Sequence, residues 1–164
     1  MPRLRPARRA DGELLRALLF EAVHWRSGLE RPPLEETLGD PALARYVEDF
    51  GRPGDFGVIA EEAGEPLGAA WWRWFGADAP GYGFVDEATP ELSIALFPGH
   101  RGQGIGTMLL EALEREARRR GIERLSLSVE RDNPAVALYE RFGFRPRNGE
   151  GNAVTMLLEL GPPG

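Results

Sequence analysis

The feature that most constrains the fold is an amphipathic run over residues 105–120, which follows a short apolar segment and a glycine-rich stretch. The apolar segment ELSIALF, residues 91–97, is typical of a buried strand. The run predicts a helix that ends at Gly121, since glycine is favoured just past helix ends. The side chains that follow one face of this helix are Ile105, Leu109, Ala112, Leu113, Glu116 and Ala117. A strand followed by a long one-sided helix predicts helices packed on a sheet.

Strand and helix patterns alternate along the rest of the 164 residues, a length that suits one domain. Strands are predicted over 4–8, 56–61, 67–75, 91–97, 125–129, 144–147 and 153–160. Helices are predicted after an Asp11 N-cap up to residue 23, in one or two short pieces within 34–50, and over 135–141 with Asn133 as N-cap. A long loop is predicted over 76–90, a hairpin-like turn over 148–152 and a frayed tail over 161–164. The order predicts a single mixed α/β domain over residues 1–164.

Charge and composition exclude several classes of function. The net charge of −6 leaves no basic face, which argues against a duplex nucleic-acid partner. No apolar run approaches about 18 residues, and the basic N-terminus lacks the apolar core of a signal peptide. We therefore expect a cytoplasmic protein with no membrane partner. Because the chain has no cysteine and two distant histidines, we predict no disulfide, no cysteine nucleophile and no metal site.

Glycines crowd the start of the long helix, although glycine is a poor helix former. Gly102, Gly104 and Gly106 alternate through HRGQGIG, residues 100–106. The first amides of a helix lack intrahelical partners and lie at the positive end of its dipole. Glycines remove the Cβ atoms that would keep a phosphate away from those amides, and Arg101 adds a cation at the rim. An ordinary glycine-rich turn is the alternative, but the preceding strand and following helix favour a phosphate site.

Two common phosphate-binding spacings fail in this segment. The dinucleotide pattern G-x-G-x-x-G needs a glycine where Thr107 stands, and the Walker pattern needs a lysine, which the chain lacks. The spacing present is R-x-x-G-x-G, from Arg101, Gly104 and Gly106. This motif resembles the signature of the GNAT superfamily of acyl-CoA-dependent N-acyltransferases. Residues 91–144, which end in NPAVALYERFGF, are similar to that family in the order and spacing of their elements.

The resemblance implies both a fold and an acetyl donor. The implied fold is α/β (α+β), with a mixed, mostly antiparallel sheet of six to seven strands flanked by about four helices and splayed between the fourth and fifth strands. The donor would be acetyl-CoA, with its pyrophosphate on the loop amides and its pantetheine arm in the splay. The implied cofactor-binding residues are Leu96, Phe97, Pro98, Arg101, Gly102, Gln103, Gly104, Ile105, Gly106, Thr107, Asn133 and Tyr139.

Several of these assignments have simpler alternatives. A backbone amide at Leu96 or Phe97 is expected to polarise the thioester carbonyl, while the side chains at this strand end pack in the core. The Thr107 hydroxyl could reach a phosphate or bond back to its own helix. Asn133 matches a position that contacts the cofactor in the family, and it is also a natural N-cap beside Pro134.

Two residues are candidates for acid and base catalysis. The resemblance assigns Tyr139 as the acid that protonates the departing coenzyme A thiolate, although a core tyrosine would show the same helical spacing. It assigns Glu91 as the base, acting directly or through water on an alkylammonium whose pKa is about 10. The alternative for Glu91 is a solvated charge at a strand end. Asp86 and Glu87, in the preceding loop, would add to the negative field.

We therefore expect an N-acetyltransferase in which an amine attacks the thioester directly in a ternary complex, because no cysteine is available for a covalent intermediate. The acidic loop favours a cationic acceptor, either a small-molecule amine or a protein N-terminus. The alternative is an acyl-CoA-binding regulatory protein on the same fold with a degenerate acceptor site. A homodimer is an expectation from the family alone.

Overall fold

The computed structural model describes residues 1–26, 28–148 and 151–162. Its strands are β1 (Arg3–Pro6), β2 (Phe56–Glu62), β3 (Glu65–Arg73), β4 (Glu91–Leu96), β5 (Arg124–Glu130), β6 (Arg145–Asn148) and β7 (Ala153–Glu159). Its helices are α1 (Gly12–Val23), α2 (Leu34–Thr37), α3 (Pro41–Ala44), α4 (Ile105–Arg119) and α5 (Ala135–Phe142). No helix within the described ranges is long and apolar enough to cross a membrane. The turn predicted over 148–152 and the tail predicted over 161–164 include Gly149, Glu150, Pro163 and Gly164, which lie outside the described residues.

The seven strands form one mixed sheet in the order β1-β2-β3-β4-β5-β7-β6. Every neighbouring pair is antiparallel except β4 and β5, which run parallel. Those two strands share a single pair of Cα partners, Glu91 and Ser126, and diverge beyond it. The sheet is therefore splayed between its fourth and fifth strands, and the predicted fold class is confirmed.

The two faces of the sheet bury separate apolar cores. Helices α4 and α5 pack on one face, where Trp72, Leu92 and Tyr139 belong to the larger core. Helix α1 and the 34–50 segment pack on the other face, where Trp71 and Tyr46 belong to the second core. Because side chains alternate along a strand, neighbouring residues such as Trp71 and Trp72 serve opposite cores. Both indole rings are almost fully buried.

The start of the chain differs from its prediction. Strand β1 ends at Pro6 rather than Arg8 because the Asp11 carboxylate accepts a hydrogen bond from the Arg8 amide (2.7 Å) and bends the chain into a 3-10 turn. The same carboxylate binds the Arg5 guanidinium at 2.9 and 3.0 Å. Asp11 precedes α1 as predicted, but its side chain makes no hydrogen bond to the first turn of that helix.

Candidate active site

The amino end of α4 presents unpaired backbone amides to open space. Met108 is the first residue of the helix whose amide reaches back to a carbonyl, that of Gly104, at 3.2 Å. The amides of Ile105 to Thr107 thus lack an intrahelical partner, as the first turn of any helix does. Gly102 and Gly104 have φ values of 76° and 81°, in the left-handed region, and a Cβ built on either would meet nothing within 4 Å. These glycines shape the loop and leave its outer surface clear for a ligand.

Gly106 is required for a different reason. It is buried inside α4, and a Cβ placed on it would lie 3.0 Å from Leu138 Cδ2 of α5. This contact is tighter than ordinary van der Waals packing, so the missing side chain lets the two helices approach. The third glycine of the motif therefore fixes the packing of α5, the helix that carries Tyr139.

The side chains of the loop make few contacts. The exposed Arg101 lies within reach of the Trp25 carbonyl (3.4 Å), and Gln103 donates to the Gly99 carbonyl (3.2 Å). Trp25 also donates its ring N–H to Glu130 (3.2 Å). The segment after α1 thus connects the loop to the carboxyl end of β5 across the splay. Arg101 remains exposed at the rim, where a guanidinium can meet an anion.

The end of β4 leaves one amide directed into the splay. The Phe97 amide donates to the Leu67 carbonyl at 2.9 Å, so it is used in the pairing with β3. In an antiparallel ladder the amides of successive residues point to opposite sides. The Leu96 amide accordingly points away from β3 and toward β5, where the ladder has ended. Of the two amides considered from the sequence, Leu96 is the one placed to meet a carbonyl in the splay, and Pro98 begins the turn that follows.

Asn133 precedes α5, and Tyr139 lies within that helix. The side-chain oxygen of Asn133 accepts from the Ala135 amide at 2.9 Å, which confirms the predicted cap. Tyr139 is 6% exposed, and its ring meets Phe144 edge-on with centroids 5.9 Å apart. Burial raises the pKa of Tyr139 well above its usual value of 10. The phenol therefore stays protonated near neutral pH and can act only as a proton donor there.

Glu91 is the most perturbed carboxyl in the splay. It opens β4, is 2% exposed, and accepts a hydrogen bond from the Tyr46 hydroxyl through Oε2 at 2.5 Å. Burial raises the pKa of Glu91 to about 7, against the opposing effect of hydrogen bonds from Tyr46 and the Gly83 backbone. A carboxyl with this pKa is half ionised near pH 7, which suits a general base. The solvated strand-end alternative for Glu91 is wrong, because the loop over residues 81–83 covers it.

That loop approaches Glu91 closely because it contains two glycines. A Cβ on Gly81 would overlap Glu91 Oε1 and lie 2.7 Å from the Tyr46 hydroxyl. A Cβ on Gly83 would lie 2.7 Å from the Leu127 backbone of β5. The long loop predicted over 76–90 therefore fills the space between β4 and β5 on the α1 face.

Tyr46 was missed by sequence reasoning. It lies in ALARYVEDF, residues 42–50, which carries no motif, and it is separated by 45 positions from the carboxylate it touches. Its contact depends on the packing of the 34–50 segment against β3, where Trp71 donates its ring N–H to the Tyr46 carbonyl at 2.9 Å. No pattern within either segment could have revealed this pair.

The two candidate catalytic groups flank the splay from opposite faces. Tyr139 belongs to the core under α4, whereas Glu91 is bonded to Tyr46 of the core under α1. A proton donor thus lies on the side where the glycine loop begins, and a proton acceptor lies on the side of the 76–90 loop. Within the part of the chain that the structure describes, no group of three or more His, Cys, Asp or Glu residues could hold a metal ion.

The sequence matches the family described as "Acetyltransferase (GNAT) family" over residues 16–144, which is most of the chain. The chain belongs to the GNAT acetyltransferase family. The structure of YncA from Salmonella typhimurium with its cofactor acetyl-CoA superposes with a TM-score of 0.70 at 25% identity, covering 98% of this chain and 94% of that one.

Curated GNAT relatives act on different acceptors. The chain is 32% identical to streptothricin acetyltransferase from Streptomyces lavendulae over 143 residues, which are 82% of this chain and 72% of that protein. It is 46% identical to the ribosomal protein bS18-alanine N-acetyltransferase of Escherichia coli strain K12 over 87 residues, which are 46% of this chain and 58% of that protein. The chain therefore spans little more than half the length of the second relative.

Proposed function

We propose that this protein transfers an acetyl group from acetyl-CoA to a primary amine. The observation that carries the proposal is the unpaired amino end of α4, which opens beside the splay between β4 and β5. Such a helix end binds anionic phosphate oxygens through its amides and its dipole. The left-handed glycines leave this surface clear, so the residues present fit a pyrophosphate. Arg101, Gln103 and Thr107 would complete its surroundings.

Acetyl-CoA supplies the acetyl thioester. This chain would orient the thioester and provide one proton acceptor and one proton donor. The Leu96 amide, directed into the splay, is placed to hold the thioester carbonyl oxygen as negative charge develops there. Glu91 takes the proton that the amine must lose before or during attack on the carbonyl carbon. Tyr139 gives its proton to the sulfur as the carbon–sulfur bond breaks. An ammonium acceptor also releases one further proton to solvent, so the products are a neutral amide, the free thiol of coenzyme A and one proton. Proton exchange with solvent returns Glu91 and Tyr139 to their starting forms.

A cationic acceptor fits the charge on the α1 face. Asp78 and Glu87 converge on Gly76, where an added Cβ would lie 2.7 and 3.2 Å from their carboxylate oxygens. Both residues are exposed on the loop that covers Glu91. Their negative charge raises the local concentration of ammonium substrates. The names of two relatives give streptothricin and an alanine of a ribosomal protein as their acceptors. Both a small molecule and a peptide N-terminus therefore remain candidate acceptors for this protein.

The alternative of a regulatory acyl-CoA-binding protein has less support. A degenerate acceptor site would have no need of a buried carboxyl whose pKa is about 7. We therefore retain the enzyme as the proposed function.

Calorimetric titration with acetyl-CoA tests the donor step. The native protein should bind, and Gly104→Glu should weaken binding at least about tenfold, since a side chain at positive φ costs about 1–2 kcal/mol and the carboxylate repels phosphate. The matched control is Gly161→Glu, because Gly161 has the same left-handed conformation (φ 82°) and equally open surroundings. It lies near the opposite end of α4, since the carbonyl of the preceding Leu160 accepts a hydrogen bond from Arg118 in the last turn of that helix. Native-like binding by Gly104→Glu, or no binding by the native protein, would overturn the proposal.

A screen of pooled amines tests the transfer step. Amino acids, polyamines, aminoglycosides and peptides with free N-termini would each be supplied with acetyl-CoA, and free thiol would be measured. Thiol release that depends on one amine class supports transfer and names the acceptor. Slow thiol release that is the same with every amine would favour the regulatory alternative.

A further inference from the structure

The Tyr46 hydroxyl joins the 76–90 loop to the candidate base. It accepts a hydrogen bond from the Tyr82 amide at 2.7 Å and donates one to Glu91 Oε2. Tyr46 itself is 6% exposed, and its ring packs edge-on against Phe75 with centroids 5.2 Å apart. The hydroxyl is therefore held from both sides by the backbone and by aromatic packing.

This geometry fixes the direction of the hydroxyl hydrogen. Because the Tyr82 amide points its hydrogen at the oxygen of Tyr46, the hydrogen of that hydroxyl must point elsewhere, and Glu91 Oε2 is the acceptor within reach. Burial and the nearby Glu91 charge raise the pKa of Tyr46 far above its usual value. Tyr46 consequently remains a hydrogen-bond donor throughout the pH range of any enzyme assay.

The second oxygen of the same carboxylate has no partner. Within residues 1–26, 28–148 and 151–162, the buried side-chain polar atoms without a hydrogen bond are Glu91 Oε1, the hydroxyl of Ser126 and Nη2 of Arg73, which forms an ion pair with Asp55. Ser126 is the β5 partner of Glu91 at the closed end of the splay. Tyr46 thus occupies Oε2, and the Gly83 backbone also lowers the pKa of this carboxyl, while Oε1 has no hydrogen-bond partner and keeps its lone pairs to accept a proton.

We propose that Tyr46 is a positioning residue for Glu91, which holds Oε2 and leaves Oε1 as the proton-accepting atom. The proposal rests on the acetyl-transfer function above. Its physical content is that a donor to one carboxylate oxygen both orients the group and stabilises its ionised form. Tyr46 touches no reacting atom, since it acts only through Glu91.

The other charged groups around Glu91 are already paired. Arg73, its β3 register partner, binds Asp55 at 3.1 Å and donates to the carbonyls of Arg45 and Glu48. In the loop, Asp86 accepts from Thr89, and Arg124 of β5 lies 3.5 Å from it. The remaining neighbour on β5, Ser126, carries no charge. Tyr46 is therefore the side chain in this part of the described chain that donates a hydrogen bond to the carboxylate.

The pH dependence of Tyr46→Phe tests the proposal. Loss of a hydrogen bond to the ionised form raises the pKa of Glu91, so the acidic limb of kcat/KM should move upward by about one pH unit. At pH 7 the rate should fall about fivefold, because the ionised fraction of Glu91 drops from about one half to about one tenth, and it should recover at higher pH. The affinity for acetyl-CoA, measured by titration, should stay unchanged. A fall in rate that is equal at every pH would show a purely structural role and overturn the proposal.

The matched control is Tyr82→Phe, which removes the hydroxyl of a residue that is 58% exposed and keeps the backbone amide that donates to Tyr46. Its pH profile should match that of the native protein. If Tyr46→Phe does not fold, 3-fluorotyrosine incorporated at Tyr46 gives a stronger donor, and the acidic limb should then move downward. A limb that stays fixed with this replacement would contradict the proposal.

A carboxyl titration separates this proposal from the proposed function. The Glu91 side-chain ¹³C resonance, assigned by its loss in Glu91→Gln, reports the pKa without any acceptor or acetyl-CoA. An upward shift in Tyr46→Phe supports the positioning role even if no amine is acetylated. An unchanged resonance overturns the positioning role even if the enzyme is active.

Discussion

The two ends of the splay use glycine in opposite ways. At the donor end, Gly102 and Gly104 have left-handed backbones with nothing within 4 Å of an added Cβ. At the acceptor end, Gly81 and Gly83 leave no room for one, because carboxylate, hydroxyl and backbone atoms lie within 3 Å. The first pair leaves the outer surface of the loop open to solvent, and the second pair lets a loop pack directly on Glu91, the candidate base.

Under the proposed function, the two substrates would meet different kinds of surface. The donor end is exposed and built from main-chain groups, which would bind a feature common to all acyl-CoA molecules. The acceptor end is built from the side chains of Tyr46 and Glu91 and the backbone amide of Tyr82, which come from remote segments, so their arrangement depends on packing. Variants at the donor end should therefore alter binding, and variants at the acceptor end should alter catalysis and stability.

The largest expected effect comes from removing the base. Glu91→Gln should lower kcat/KM for the amine by about 10²–10⁴-fold, the usual contribution of a positioned base, while leaving the affinity for acetyl-CoA intact. Steady-state kinetics and calorimetric titration measure the two quantities. Glu65→Gln, at the exposed start of β3, is the matched control. If Glu91→Gln lowered the affinity for acetyl-CoA as much as it lowered kcat/KM, the donor and acceptor ends of the splay would not have separate roles.

The next effect concerns the acid. Tyr139→Phe should lower kcat by about 10²–10³-fold through the loss of proton donation to the thiolate, with little change in acetyl-CoA affinity. The defect should shrink with an acyl donor whose thiol leaves more easily, because such a thiolate needs less protonation. An unchanged kcat with the true acceptor would leave Tyr139 as a core residue.

A smaller effect should appear in the pH dependence of stability. The pKa of Glu91 is about 7 in the folded state and 4.5 in the reference state, so the folded protein binds the proton more tightly. The free energy of unfolding should therefore fall as pH rises from about 4.5 to 7, by roughly 3 kcal/mol from this group. Urea denaturation at several pH values measures this loss, and Glu91→Gln should remove it. If the free energy of unfolding of Glu91→Gln depended on pH as steeply as that of the native protein, the raised pKa of buried Glu91 could not be the cause.

The smallest effects come from adding a methyl group at each end. Gly104→Ala should weaken acetyl-CoA binding about tenfold, since left-handed backbone costs an alanine about 1–2 kcal/mol. Gly81→Ala should lower the free energy of unfolding by about 1–3 kcal/mol through overpacking against Glu91 and Tyr46, and should reduce kcat. Gly12→Ala, where nothing lies within 4 Å and φ is −52°, is the neutral control. If Gly104→Ala and Gly81→Ala changed acetyl-CoA affinity, stability and kcat in the same way, the proposed difference between the donor and acceptor ends would be wrong.

Local patterns predicted much of this molecule. The motif R-x-x-G-x-G predicted a turn, a helix start and a phosphate site, and the structure shows the turn and the helix start at Gly104. The Asn133 cap and the helix end at Gly121 (φ 74°) are confirmed as well. These features depend on residues a few positions apart, so a short stretch of sequence contains all the information they need. The Asp11 side chain departed from its prediction because Arg5 and the Arg8 amide compete for the carboxylate.

Taken alone, the sequence determined the order of strands and helices and the glycine-rich start of α4, because these follow from local periodicity and glycine spacing. The resemblance of residues 91–144 indicated the family. Only the tertiary structure decided that Gly106 allows α4 to pack closely on α5. It also decided that the Leu96 amide, and not the Phe97 amide, faces the splay, and that the Tyr46 hydroxyl donates a hydrogen bond to Glu91. Each of these facts depends on contacts between segments that are distant along the chain. The pKa of Glu91 depends on them in turn, since it is set by what covers the carboxylate rather than by its neighbours in sequence.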